Sequence, residues 1–258
     1  MITVGLVQAD IKAYNKKGNL AHYSEWLESA IQEPVHLLVF PEMFHCGFSP
    51  DIQSDAEQHN GEGVYFLYLM ACKFECDVVA TIPVKQNGLI YNRLVWLSRD
   101  RILGSYDKHH LFMGEEEFFT PGTQKTIIQS LGYKFLPLIC FDVRFPEWSR
   151  NRVINNQFDY DCLVYTTNFP APREQELMTL ARARAIENQA YALVVNRVGT
   201  DGYQRKYNGG CAIINPHGEI EAQTTTQKEE ILIHSCDFDS VFALREAFPV
   251  SKFWKKTE

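Results

Sequence analysis

Residues 135–150 read FLPLICFDVRFPEWSR: an apolar run from Phe135 to Ile139 that meets, at Cys140, a packet of charge made of Asp142, Arg144 and Glu147. An unbroken apolar run of this length is the pattern of a strand covered on both faces. A thiol at its end has two readings. Cysteine is among the most buried residue types and ends many strands as ordinary core. Open α/β sheets, however, gather their ligand sites just past the C-terminal ends of strands, where a thiol is placed to act as a nucleophile. Three more polar residues take the same position relative to an apolar strand: Glu42 after LLVFP, Lys108 after ILGSYD and Asn168 after CLVYTT. Four such placements in one chain favour a shared site over four coincidences.

Outward from this stretch the same kind of strand recurs, in ITVGLVQA, VHLLVF, DVVATIPV, NRLVWLS, DCLVYTT, YALVVNRV, CAIINP and EILIHSCDF. Helical periodicity predicts helices over roughly 17–32, 62–75, 146–156 and 172–190, and tight turns are predicted at KQNG (85–88) and SRDR (98–101). Strand-helix alternation with some hairpins means an α/β fold with a mixed sheet or two packed sheets. No Pro/Gly/Ser-rich linker, charge block or regular repeat divides the 258 residues, so 1–258 is read as a single domain.

Lysine and arginine number 25 against 32 aspartates and glutamates, a net charge of −7 that argues against a nucleic-acid partner. The short basic end KFWKK is expected to be solvated. No apolar run approaches the roughly 20 residues needed to cross a bilayer, and the N-terminus enters a strand pattern at once, so a soluble, untargeted, cytoplasmic protein without membrane contact is expected. Seven cysteines, an odd number lying mostly in apolar patterns, suit reduced thiols better than a disulfide framework. Cys72 and Cys76, four apart on a predicted helix, and the adjacent His109 and His110 match no four-ligand zinc pattern, so no metal site is expected.

The strand-end residues have a chemistry in common. Only a thiolate attacks carbon well, and a thiol in water is mostly protonated near neutral pH, so a nucleophilic cysteine needs a base or a cation beside it. Glu42 is placed to take the proton and Lys108 to supply positive charge, which also serves the oxyanion of a tetrahedral intermediate together with the Phe141 N–H. Glutamate, lysine and cysteine thus form a complete acyl-transfer set without histidine, metal or cofactor.

The blocks GLVQAD, LLVFPEMFHCGFSP, YNRLVWLSRDRILGSYDKHHLF, GEEEFFTPG, LPLICFDVRFPEWSRN, TTNFPAPR, ARARAIENQAYALVVNRVGTDG, INPHGEI and REAFPV, in this order over nearly the whole chain, resemble the nitrilase (carbon-nitrogen hydrolase) superfamily. The resemblance implies a four-layer α-β-β-α sandwich, a homodimer or larger homo-oligomer, and no cofactor. It implies Glu42 as general base, Lys108 as the cation at the tetrahedral intermediate and Cys140 as nucleophile. A second active-site glutamate, six residues before the proline of the TPG turn, falls on Glu115, with Glu116 and Glu117 as the alternatives in GEEEFF.

Within the superfamily, FPEMF, CFDVRFPEWSRN and NFPAPR look most like the bacterial omega-amidases, which release ammonia from omega-amides of 2-oxo dicarboxylic acids such as 2-oxoglutaramate and 2-oxosuccinamate. Phe141 and Phe169 stand where many relatives have tyrosine and tryptophan, and Phe169 is expected to line the pocket. Such a substrate carries a carboxylate far from its amide, which needs a cation in a closed pocket. Arg173 is the first candidate and Arg144 the second, although Arg144 has an alternative as an ion-pair partner of Asp142 or Glu147. Arg182, Arg184 and Glu187 in ARARAIENQ read as helix-packing groups, with Arg184 and Glu187 three apart on one face. Asp107 reads as structural. The alternatives are an amidase or nitrilase on another small C–N compound, such as an N-carbamoyl amine or deaminated glutathione, and a non-catalytic redox-responsive binding protein.

Overall fold

The computed structural model describes residues 1–254; of the basic end, Lys255 and Lys256 lie outside the described residues. Two six-stranded sheets dominate. The first runs, in spatial order, Glu230–Cys236, Ile2–Gln8, Leu37–Val39, Asp77–Gln86, Leu89–Leu97 and Ile102–Asp107. The second runs Ile220–Gln223, Ala212–Ile214, Tyr191–Val195, Cys162–Thr166, Tyr133–Ile139 and Ile128–Ser130. Each has three adjacent parallel strands with antiparallel strands on both flanks.

Strand alternation sorts the apolar residues into layers. Leu37, Val39, Val79 and Trp96 of the first sheet share one core with Phe135, Ile139 and Val164 of the second, so this layer lies between the sheets. The side chains of opposite parity, Leu38, Val78 and Ala80, join Leu20, Tyr23, Leu67 and Met70 beneath helices Lys16–Ala30 and Glu62–Phe74. Leu177, Ala181 and Ala185 bring helix Glu174–Asn188 onto the outer face of the second sheet. The result is an α-β-β-α sandwich, and its strands are apolar on both faces because both faces are covered.

Most predicted elements stand where the periodicity put them, and the 85–88 turn is a hairpin with Asn87 and Gly88 at φ 53° and 79°. Two differ. The helix expected over 146–156 is a single turn, Pro146–Ser149. Asn151 stops it, because its side chain engages the Tyr160 carbonyl and accepts the Arg152 and Asp159 N–H groups, giving the backbone an alternative to helical bonding. Beyond it, Val153–Ile154 and Gln157–Phe158 pair across Asn155 and Asn156, both at positive φ. Helix Glu62–Phe74 closes through Glu75 at φ 51°, so Cys76 is off the helix that carries Cys72. Among the described residues no helix is long and apolar enough to cross a membrane.

Candidate active site

The first sheet delivers Glu42 and Lys108, the second Cys140 and Asn168, each just beyond the end of its strand. Glu42 leaves Leu37–Val39, and its N–H donates across to the Thr167 carbonyl of the other sheet at 3.4 Å. Its carboxylate, with no exposed surface, accepts three hydrogen bonds. Asn92 Nδ2 (2.7 Å) and Lys108 Nζ (2.9 Å) donate to Oε1, and the Asn168 N–H (2.9 Å) donates to Oε2.

Lys108 is fixed through its backbone. Its N–H donates to the Asn92 carbonyl at 2.9 Å, and its carbonyl accepts the Gly122 N–H at 2.8 Å. A Cβ at position 122 would lie 2.1 Å from the Asp107 carbonyl oxygen, so the TPG turn needs glycine to press against this strand end. The buried Lys108 ammonium lies between Glu42 and Glu115, 2.8 Å from Glu115 Oε2. Of the three glutamates in GEEEFF, Glu115 is the one at Lys108; Glu116 accepts the Gly114 N–H near the surface, and Glu117 lines the cavity mouth. The Phe112 N–H donates to Glu115 Oε2 at 3.0 Å and helps aim it.

Cys140 opens a short 3₁₀ turn, Cys140–Arg144, with φ at 46°, in the left-handed region that a non-glycine residue rarely occupies. This sharp exit from the strand brings the thiol to the wall of a cavity of about 210 Å³, which Glu42 and Glu115 also line. Burial and then the Glu42 charge push the Cys140 thiol well above the ordinary cysteine range, with the Lys108 ammonium acting against them. Burial works against the charge on Lys108, yet Glu115 and Glu42 hold its pKa well above the usual lysine value. Burial raises the Glu115 carboxyl, restrained by Lys108. The thiol and the two glutamates therefore line one cavity, with the Lys108 ammonium bonded to both glutamates.

Phe141, Phe169, Arg144 and Arg173 all line that cavity. Arg144 is not paired with Asp142 or Glu147 as its position in sequence suggested. It forms an ion pair with Glu176 on the neighbouring helix, because the 3₁₀ turn points its side chain away from both. Arg173 lies with its guanidinium 4.9 Å from the Phe112 ring centre and 5.9 Å from that of Phe169, and has no carboxylate partner among the described residues. Arg184 and Glu187 pair at 3.0 Å on one helix face, and Asp107 takes both oxygens to Arg93, so these charges stay out of the cavity. His109 and His110 stack on Trp148 and Phe145. Cys46, the other cysteine close to Glu42 in sequence, is packed with Met43, Phe48, Ile52 and Phe119.

Several residues of the site were not singled out from the sequence, among them Arg205 and Tyr207 at the cavity wall, and Asn92 and Asp142 behind it. Asn92 sits mid-strand in YNRLVWL, where a polar side chain on the same strand face as the apolar Ile90 and Leu94 was the available signal. Asp142, two residues past the thiol, gave none beyond its charge.

A two-sheet α/β sandwich with a thiol, a lysine and a carboxylate at facing strand ends, and a second carboxylate on a short 3₁₀ turn beside them, carries the parts of an amide-hydrolysing enzyme. Residues 3–246 match the model of the carbon-nitrogen hydrolase family, and the chain belongs to that family. It is 34% identical over 246 residues to the omega-amidase YafV of Yersinia enterocolitica, covering 95% of this chain and 93% of that one. It is 28% identical over 253 residues to the 2-oxoglutaramate amidase of Bacillus subtilis, covering 96% and 95%. The crystal structure of a CN-hydrolase superfamily protein from Xanthomonas campestris, which carries an arsenic adduct in its active site, superposes with a TM-score of 0.94 at 29% identity, covering 100% of this chain and 98% of that one. The protein is thus an amidohydrolase of the nitrilase superfamily.

Proposed function

We propose that this enzyme releases ammonia from omega-amides of 2-oxo dicarboxylic acids, 2-oxoglutaramate and 2-oxosuccinamate, through a thioester on Cys140. The observation that carries the reading is Arg173, which, like Arg205, is a cation at the wall of the same cavity as the thiol with no carboxylate partner among the described residues, and which lies against the cavity rings of Phe112 and Phe169. The omega-amidase and 2-oxoglutaramate amidase names of the relatives support it.

In the proposed cycle the resting thiol is protonated, in keeping with its burial. Glu42 takes the proton as the sulfur attacks the amide carbon. The oxyanion forms against Lys108 and the Phe141 N–H. Glu42 returns the proton to the amide nitrogen, the C–N bond breaks and ammonia leaves. Glu42 then deprotonates a water, which attacks the thioester; the C–S bond breaks, the acid departs and the thiol is reprotonated. The three hydrogen bonds at Glu42 support its role, because they hold the carboxylate in one orientation as the proton comes and goes. Glu115 keeps Lys108 in place, and Phe169 shapes the wall.

That Arg144 is already neutralised by Glu176 favours Arg173 for the substrate carboxylate. The joint contribution of both sheets supports reading residues 1–258 as one catalytic domain. Seven free thiols among the described residues favour a reducing compartment, the cytoplasm. Exposed Ile186, Phe242 and Phe248, on segments joined by the bond from Gln189 Nε2 to the Phe248 carbonyl, favour a homodimer or larger assembly.

The test is ammonia release across 2-oxoglutaramate, 2-oxosuccinamate, glutamine, asparagine, N-carbamoylputrescine and a simple nitrile. The two 2-oxo acids should have the highest kcat/KM. A preference for an N-carbamoyl amine or for the nitrile would move the enzyme to another branch of the family.

A further inference from the structure

Asp142 has no exposed surface and is not among the groups that line the cavity, yet four donors converge on its carboxylate. Oδ2 accepts the Ile139 N–H at 3.0 Å and the Tyr106 O–H at 2.7 Å. Oδ1 accepts the His110 N–H at 3.0 Å and faces His110 Nδ1 at 2.8 Å. These donors belong to two places. Ile139 is the last residue of the strand before Cys140, so a bond from its N–H to the side chain three residues on closes a ring around Cys140 and holds it at positive φ. Tyr106 and His110 flank Lys108. The Tyr106 oxygen extends the cluster by accepting the His109 N–H at 3.2 Å and Trp148 Nε1–H at 2.9 Å. One buried carboxylate thus ties the turn that carries the thiol, on the second sheet, to the strand end that carries the ammonium, on the first.

We propose that Asp142 is a positioning residue that sets the separation of Cys140 from Lys108, acting through geometry and not as a group that exchanges protons with substrate. The inference rests on the assignment of Cys140 and Lys108 proposed above. The leading influences on the thiol are burial, Glu42, Lys108 and Glu115. What Asp142 supplies is acceptor capacity: an ionised carboxylate has about four lone-pair sites, and all are engaged here. An asparagine presents one acceptor oxygen and an NH₂ group. That NH₂ must face either the Ile139 N–H and Tyr106 O–H or the His110 donors, so one tether opens while the shape is kept.

The experiment compares Asp142→Asn with Tyr106→Phe, which removes a single donor, and with wild type. Three measurements are made on the full-length folded enzyme: kcat and KM with 2-oxoglutaramate, the rate of Cys140 alkylation by iodoacetamide between pH 6 and 10, and thermal unfolding. Misplacement of a reacting group by roughly 1 Å costs on the order of 100-fold in rate, so Asp142→Asn is expected to lower kcat about 100-fold with KM within about twofold. Its alkylation profile should shift to higher pH as the thiolate loses Lys108, and Tyr106→Phe should fall between it and wild type. A merely structural aspartate would lower the melting temperature but leave kcat and the alkylation profile of the folded fraction unchanged, and that result overturns the proposal. Cys140→Ala separates the two readings. If it retains turnover, the catalytic assignment fails; if it is inactive while Asp142→Asn turns over normally, only the positioning role fails.

Discussion

Replacing Lys108 by methionine removes the ammonium while keeping the length and apolar stem of the side chain, and it strands two carboxylates in the cavity wall. At 2.9 and 2.8 Å from Glu42 and Glu115, each attraction amounts to about 6 kcal/mol at an effective dielectric constant of about 20. Most of that offsets the desolvation of three buried charges, so the net loss is far below the sum. A better bound comes from protonation. Burial already raises the Glu115 carboxyl and Lys108 restrains it, so without the lysine one carboxyl takes up a proton. For a carboxyl of ordinary pKa about 4.3, holding that proton at pH 7 costs at most about 3.7 kcal/mol. The expected loss is therefore roughly 3 to 4 kcal/mol, or about 6 to 16 °C in melting temperature for a chain of this size. The sign fixes its pH dependence. A carboxyl whose folded pKa is raised weakens the fold above its unfolded pKa, so the deficit should be largest at neutral pH and shrink as pH falls toward about 4.3. Turnover should drop about 100- to 1,000-fold or more, the cost of losing an oxyanion donor. Adding Glu115→Gln to the methionine variant should recover most of the stability and none of the activity. Calorimetry and an ammonia assay on the single and double variants test this directly. A methionine variant that keeps more than roughly a tenth of wild-type kcat would refute the role of the cation, and a double variant no more stable than the single one would refute the account of the stranded carboxylates.

Cys140→Ala should abolish ammonia release without loss of fold by circular dichroism, whereas Cys46→Ala, packed behind the cavity-lining Phe48, Ile52 and Phe119 without lining the cavity itself, should lose some thermal stability and keep most of its turnover; the reverse pattern would exchange their assignments. Lys108→Arg should be nearly as inactive as the methionine variant, because a planar guanidinium does not fit the site of a compact ammonium between two carboxylates; substantial turnover would show that charge alone suffices. Arg173→Ala should raise KM for 2-oxoglutaramate by about 2 to 3 kcal/mol, roughly 30- to 150-fold, while a simple amide without a carboxylate barely changes; equal losses on both would return Arg173 to a packing role. Burial opposes ionisation of Glu57, yet its contacts with His45 and Lys16 hold its pKa at about 2. A depressed carboxylate stabilises the fold above its unfolded pKa of about 4.5 and loses that contribution between about 4.5 and 2. Glu57→Gln should accordingly be less stable than wild type at pH 7 and converge with it near pH 2 in denaturant titrations.

The layers and the strand ends were readable in the chain because both follow from local pattern. Strands covered on both faces lose alternation, and a polar residue at the end of such a strand stands out against its neighbours, as Glu42, Lys108 and Cys140 do. What was not readable depends on separations that pattern does not encode. Asn92 reaches Glu42 across an interval of 50 residues, and Asp142 collects donors from 3, 32 and 36 residues away. Arg144 looked toward acidic neighbours in sequence, but the left-handed turn at Cys140 redirected it to Glu176. The helix expected over 146–156 ended early for a related reason: Asn151 found better partners in Tyr160 and Asn188 than the next helical turn offered.

The division of the site between two sheets also makes activity a reporter of folding. Neither sheet carries a working set, since one holds the carboxylate and ammonium and the other the thiol. A partly folded chain with one sheet formed would expose Cys140 without the base that takes its proton or the cation that faces the oxyanion. Catalytic competence should then emerge only at the step that docks the sheets, and during refolding from denaturant the return of ammonia release should coincide with burial of Trp96 and Phe135, whose rings meet at 4.9 Å in the layer between them. On the proposed assignment, an amidase built in this way brings its thiol together with a base and a cation only as its core closes.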